Sequence, residues 1–331
     1  MDTTASPEAT VRDPSPRRPA GPGRLWQSKS FGGWAALLVV YVFWGGTYLG
    51  IRVGVETIPP LLLAGARYLI AGLILFPIAL RTGSPELRAA DRPGRPAWIA
   101  CGIVGLLLLL GGNALVSVGE RSVPSGFASL LVATVPLWLL VMDSALARRW
   151  IGWLPSAGLL AGLAGVALLA GLGDHASASG ASGTGIAIIL FASVCWAVGT
   201  ILSGRLKGLP QRPFLTTAMQ MLVGGAIILA LSAATGEFSG FSLGQVSLRS
   251  WLALAYLIGP GSILALSAYS IAVRSLPTST VATYAYVNPV VAVILGSTIL
   301  SEKLTPMMLV GGALIIAAVA LIVRRRGSPG H

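Results

Sequence analysis

Ten stretches of the chain carry almost nothing but apolar residues: 34–53, 60–80, 97–118, 125–146, 154–171, 185–203, 214–234, 251–272, 278–300 and 306–323. Each is about 20 residues long, the length at which an α-helix rising about 1.5 Å per residue crosses a hydrocarbon layer of about 30 Å. A membrane β-barrel would instead alternate polar and apolar positions over segments of about 10 residues. The pattern predicts an all-α membrane protein with ten transmembrane helices. The connections between the blocks are short, which predicts one compact bundle.

Composition agrees with that picture. Of 331 residues, 54% are hydrophobic and 10% are charged, with mean hydropathy +0.80; a soluble domain carries about 25% charged residues. The net charge of +12 could suggest nucleic acid, but its distribution excludes a folded basic face. With the N-terminus placed inside, eighteen Lys and Arg residues fall in cytoplasmic segments and three, Arg121, Arg249 and Lys303, fall outside. The positive-inside rule then puts both termini in the cytoplasm of a multi-pass protein of the cell membrane. Trp34, Trp98, Trp150, Trp153 and Trp251 lie at helix ends, where amphipathic rings prefer the interface. Residues 1–33 and 324–331 read as basic cytoplasmic tails, the first disordered and without a cleavable signal.

The chain also repeats itself. "RSVPSGFASLLVATVP" (121–136) aligns with "RSLPTSTVATYAYVNP" (274–289) at an offset of 153, and Trp44 matches Trp196 at 152. The halves run over 34–171 and 185–323, with five helices each and a Gly/Ser-rich external linker at 172–184. An odd number of helices turns the second copy upside down. Two inverted five-helix repeats are the architecture of alternating-access transporters, with the binding site near the midplane.

Four stretches carry a family resemblance: "FWGGTYLGIRVGVETIPPLLLAGARYLIAG" (43–72), "GGNALVSVGERSVPSGFASLLVATVP" (111–136), "WAVGTILSGR" (196–205) and "ATYAYVNPVVAVILGSTILSEKLTP" (282–306). With them the chain resembles the EamA family of the drug/metabolite transporter superfamily over nearly all of 34–323, and looks like its YedA-type inner-membrane permeases. The resemblance implies a two-repeat permease that exports metabolites or drugs. One departure stands out. The family often has a Gly-Glu-Arg-Leu-like turn after the fourth helix of each half; here the second half keeps Glu302 in "SEKL", and the first half has "ARRW", without an acid.

The polar residues inside the blocks are the candidate chemistry. Arg67 lies about eight residues into its helix, roughly 10 Å deep at the helical rise, where a charge costs about 2.5–3.5 kcal/mol on insertion scales. Two readings stay open: a structural pair with a helix C-terminus or Glu120, or a cavity arginine that meets a substrate carboxylate. Its counterpart in the second half is Gln220. Glu120, a gate or proton-coupling candidate, is expected at the outer end of the third helix, either exposed or within reach of Arg121, Arg52 or Arg67. Asn113 is expected to bond a neighbouring helix or line the cavity. Tyr284 and Asn288, four residues apart, share a helix face next to Pro289, which frees the carbonyl of residue 285. Trp44, Tyr48 and Trp196 are aromatic candidates for the cavity wall or for core packing. Asp143 reads as an interface anchor near Arg148. "GLLAG" (158–162) and "GALIIAA" (312–318) read as close-packing faces.

Several chemistries lack their motifs. No Walker sequence, HExxH or nucleophile elbow occurs, and the one GxGD match, "GLGD" (171–174), opens the Gly/Ser-rich linker, which argues against ATP use and against an enzyme. Cys101 and Cys195 sit in apolar blocks as packed thiols, His175 and His331 have no zinc spacing, and no cofactor or metal is expected. The reading is a permease that exports small metabolites such as amino acids by alternating access. A broad-cavity multidrug exporter is the alternative, and a non-transporting sensor the alternative of another class. The partners expected are a small-molecule substrate, the lipid bilayer and a second copy of the chain, with no nucleic acid.

Overall fold

The computed structural model describes residues 22–148, 150–170, 181–276, 278–281 and 283–326, and among them no strand occurs. Its apolar helices are α1 Phe31–Gly54, α2 Pro60–Arg81, α3 Arg95–Gly119, α4 Ser125–Leu146, α5 Pro155–Leu168, α6 Gly183–Ser203, α7 Pro213–Ala234, α8 Leu248–Val273, α9 Tyr284–Ile299 and α10 Pro306–Leu321. Seven of them are long and apolar enough to cross a membrane; α5, α9 and α10 are shorter. The block expected from 278 is split into a helical turn, Thr278–Val281, and α9. The first helical segment begins at Pro22, inside the tail expected over 1–33 to be disordered; residues 1–21 of that tail, most of the linker and residues 327–331 lie outside the described residues.

Local sequence explains where the helices bend. In α1 the Thr47 hydroxyl donates to the carbonyl of Trp44 at 2.6 Å beside the break at Gly46. In α4 the Thr134 hydroxyl donates to Leu131 O at 2.6 Å, just before Pro136. Such back-bonding competes with the helix ladder and bends it. Two helices contain π-helical segments, Leu106–Ala114 in α3 and Gly259–Leu264 in α8. Their starting positions differ by 153, the offset of the sequence repeat. The π-helix is rare and gathers at functional sites.

The main helix pairs join one half to the other: α2 with α7, α5 with α10, α1 with α8, α3 with α6 and α4 with α9. Small residues allow this closeness. A Cβ on Gly225 of α7 would stand 2.5 Å from Leu69 N of α2, and one on Gly165 of α5 would stand 2.6 Å from Gly311 O of α10. This contact lies just outside the small-residue faces anticipated at 158–162 and 312–318, whose Gly162 and Gly312 pack on Leu137 and Leu130 of α4 instead. Both halves contribute to the buried clusters, in which Phe127, Leu137, Ile189, Met219 and Ile315 are fully buried.

Helix ends are tied across the halves by carboxylates. Asp91 accepts from Gln211 N and Arg212 N, at the start of α7, at 2.9 and 3.0 Å. Glu237 accepts from Leu61 N and Leu62 N, at the start of α2, at 3.2 and 2.8 Å. Glu302 accepts from Ser125 N at 2.7 Å and Gly126 N at 3.0 Å, at the start of α4. Each places a negative charge on free N–H groups and on the positive end of a helix dipole. Asp91 also receives Arg212 Nε at 3.2 Å, in a pair that is 6% and 11% exposed.

Candidate functional site

Arg67 is 6% exposed on α2. Its Nε donates to Ser262 Oγ at 2.9 Å, and its guanidinium carbon stands 4.8 Å from the centre of the Tyr68 ring. Ser262 in turn donates to Leu257 O, five residues back, at 2.8 Å, so the π-helical segment of α8 holds the acceptor in place. No carboxylate lies within ion-pair distance of Arg67 among the described residues. The structural pair with Glu120 or a helix C-terminus is thus replaced by a neutral hydroxyl. A hydroxyl satisfies one donor of a guanidinium that has five and leaves its charge without a counterion.

An aromatic cluster stands on α1, α8 and α9. Trp44 lies 5.3 Å from Tyr269 and 5.3 Å from Tyr284, and Tyr269 meets Tyr284 edge-on at 5.9 Å. Edge-to-face pairs of this kind are worth about 0.5–1.5 kcal/mol each beyond area burial. Asn288, one turn along from Tyr284, is 8% exposed, and its Oδ1 has no hydrogen-bond partner. Tyr48 is half-buried, with its hydroxyl in electrostatic range of Glu120, Tyr284 and Tyr68. Trp44, Tyr48, Arg67, Tyr284 and Asn288 are therefore gathered by α1, α2, α8 and α9. Tyr269 and Ser262 belong to the same group, although nothing in the hydropathy pattern distinguished them.

The other candidates lie elsewhere. Asn113 Nδ2 donates to Leu108 O, five residues back in the π-helical segment of α3, at 3.2 Å; it bonds its own helix rather than a neighbour. Trp196 packs on Gly112, where a Cβ would meet the indole Cε3 at 2.7 Å. Gln220, 8% exposed, faces Gly105. These three surround α3, so the sequence-matched pairs Trp44/Trp196 and Arg67/Gln220 stand in two separate groups.

Glu120 is not the exposed carboxylate that was one expectation: it is 0% exposed, and neither carboxylate oxygen has a hydrogen-bond partner. Arg52 bonds the main-chain carbonyls of Glu120 and Arg121 instead, the latter at 2.9 Å. Asp143 lies 3.9 Å from Arg205, with both side chains about half exposed. Among the described residues, no group of three metal-ligating side chains occurs.

The EamA-like transporter family matches residues 31–171 and again residues 183–324. The chain is 36% identical to the inner membrane transporter YedA of Escherichia coli (strain K12), over 87% of this chain and 89% of that protein. It is 30% identical to a protein of Salmonella typhimurium (strain LT2) named "Probable amino-acid metabolite efflux pump", over 88% of this chain and 94% of that one. A solved crystal structure superposes with a TM-score of 0.58 at 20% identity, covering 91% of this chain and 98% of that one, a likeness of fold.

Proposed function

The chain belongs to the EamA-like transporter family, and we propose that within it this protein is a ten-helix, inverted-repeat permease that exports small anionic or zwitterionic metabolites of the amino-acid class. The observation that carries the reading is Arg67, a buried guanidinium bonded at Nε to a serine and lacking a carboxylate partner among the described residues. A desolvated charge left without a counterion is costly, and a substrate carboxylate would supply one with charge-assisted bonds. Trp44, Tyr269 and Tyr284 would take the apolar part of the substrate, with Tyr48 and Asn288 as polar contacts. Asn113, Trp196 and Gln220 would form a second, uncharged wall on α3. Both termini would face the cytoplasm, which puts Glu120, Glu237 and Glu302 at the outer end.

The relative named for amino-acid metabolite efflux supports the substrate class. Counterflow in liposomes with pooled amino acids tests it, wild type beside Arg67→Ala. Flux by the wild type that falls about tenfold or more in Arg67→Ala at low substrate concentration is the expected result; equal flux in both would remove Arg67 from the substrate. The aromatic cluster favours a second reading, a multidrug exporter. Flux of lipophilic cations with none of any amino acid would select it.

A further inference from the structure

Glu120 closes α3 at the end of the bundle where Glu302 grips α4. The charged and titratable groups that face it are Tyr48 and Arg52 from α1, Arg67 from α2 and Glu302 from the turn after α9; Arg121 follows it, exposed, in its own turn. From α6, packed on the same turn, come Ile189 and the carbonyl of Gly185, neither titratable: a Cβ on Gly119 would stand 2.5 Å from Ile189 Cγ1 and 3.1 Å from Gly185 O. None of the cations reaches its carboxylate. Arg52 spends its charge on two carbonyls at the C-terminus of the helix, where the dipole favours a cation.

The two carboxylates are treated very differently. Glu302 Oε1 receives Ser125 N at 2.7 Å and Ser125 Oγ at 2.8 Å, and Oε2 receives Gly126 N at 3.0 Å. Gly296 leaves room for it, since a Cβ there would stand 2.4 Å from Oε2. Three donors at a helix N-terminus hold the Glu302 carboxylate in place. Glu120 is fully buried, and among the described residues no donor reaches either of its oxygens, so it takes the proton: burial and a second carboxylate nearby both disfavour its charged form. Burial first, then the charge of Glu302, push the Glu120 carboxyl well above its ordinary value of 4.5, with Arg52 and Arg67 opposing.

We propose that Glu120 and Glu302 form a proton-operated gate at the outer end of the transporter, in which protonated Glu120 lets Glu302 latch α4 and ionised Glu120 releases it. The proposal rests on the alternating-access reading above and assigns a regulation to it. The sign follows from linkage. The latched form binds the proton more tightly than an open form with Glu120 in water. Latching is therefore complete at low external pH and lost as pH rises through the raised Glu120 value. The latched-to-open ratio changes by up to about tenfold per pH unit in that window.

The test reads conformation, not flux. In a background with Cys101→Ala and Cys195→Ser, a reporter Val123→Cys replaces a side chain that is 0% exposed beside the latch. Ser239→Cys, exposed in a connecting loop, serves as the reference for thiol reactivity. Intact cells are labelled with a membrane-impermeant maleimide from about pH 5 to about pH 8, a range that spans displaced carboxyl values. The Val123→Cys to Ser239→Cys ratio should rise severalfold with pH, stay low and flat with Glu120→Gln, and be high even at low pH with Glu302→Ala. A flat ratio in the otherwise wild-type protein overturns the gate without any further variant. So does a rise that survives in Glu120→Gln. If Ser239→Cys reacts only in inside-out vesicles, the orientation reading fails instead, and the same ratio measured there still decides the gate.

Discussion

Arg67 and Gln220 stand at repeat-matched positions, since 67 and 220, like the starts of the two π-helical segments, differ by 153, but Arg67 bonds Ser262 through its side chain while Gln220 meets Gly105 of α3 through its main chain. In one copy a charged side chain crosses from the first half to a hydroxyl in the second. In the other, position 109 matches Ser262 and holds a leucine that packs on Gly224. Duplication thus supplies a scaffold in pairs, and function sits in the positions where one copy departs. The helix-end ties make the same point. Asp91 and Glu237 are reciprocal, each capping the second helix of the opposite half. Glu302 caps α4, while the matching turn of the first half, "ARRW", has no acid to return the bond.

Substitutions on both sides of this pairing test how deep the asymmetry goes. The largest effect is expected at Asp91→Ala, which strands the buried Arg212. Breaking a buried ion pair costs about 3–5 kcal/mol, to be read from thermal unfolding in detergent. Glu237→Ala, which removes a cap without stranding a cation, should cost about 0.5–2 kcal/mol. Equal losses would mean that Arg212 gains little from its partner. Next comes transport. Arg67→Ala should raise the half-saturating substrate concentration by about 10- to 150-fold, the worth of a hydrogen bond to a charged group at about 1.5–3 kcal/mol. Gln220→Ala should change it by less than about fivefold, the scale of a neutral bond. Comparable effects would dissolve the distinction between the two walls. Ser262→Ala should weaken binding by about fivefold, since it misaligns Arg67 by removing one neutral bond worth about 1 kcal/mol. The smallest effect belongs to Asp143→Ala, whose exposed contact with Arg205 should contribute less than about 1 kcal/mol.

Much of this was legible beforehand, because hydropathy reports where helices lie and a repeat reports how they pair. The contacts that matter most were not, because they depend on register across helices. Arg67 announced itself as a charge in an apolar block, but its partner Ser262 is an ordinary serine in "GPGSIL" until the backbone turns π-helical there. Tyr269 lies in a helix like any aromatic residue, and only proximity to Trp44 and Tyr284 gives it a role. Arg212 counted only among the cytoplasmic cations that orient the chain; its burial against Asp91 comes from the docking of one connection on another. Glu120 looked reachable from Arg52, and the guanidinium does reach that residue, but at its carbonyl.

The glycine seam between α5 and α10 has a consequence for biosynthesis. Gly165 lies against Gly311, so the fifth helix acquires its partner only when the last helix has left the ribosome. Until then its small-residue face must rest against lipid, which fills such a notch poorly. A chain truncated before residue 306 would leave that face unmatched, a visible mark for membrane proteases to act on.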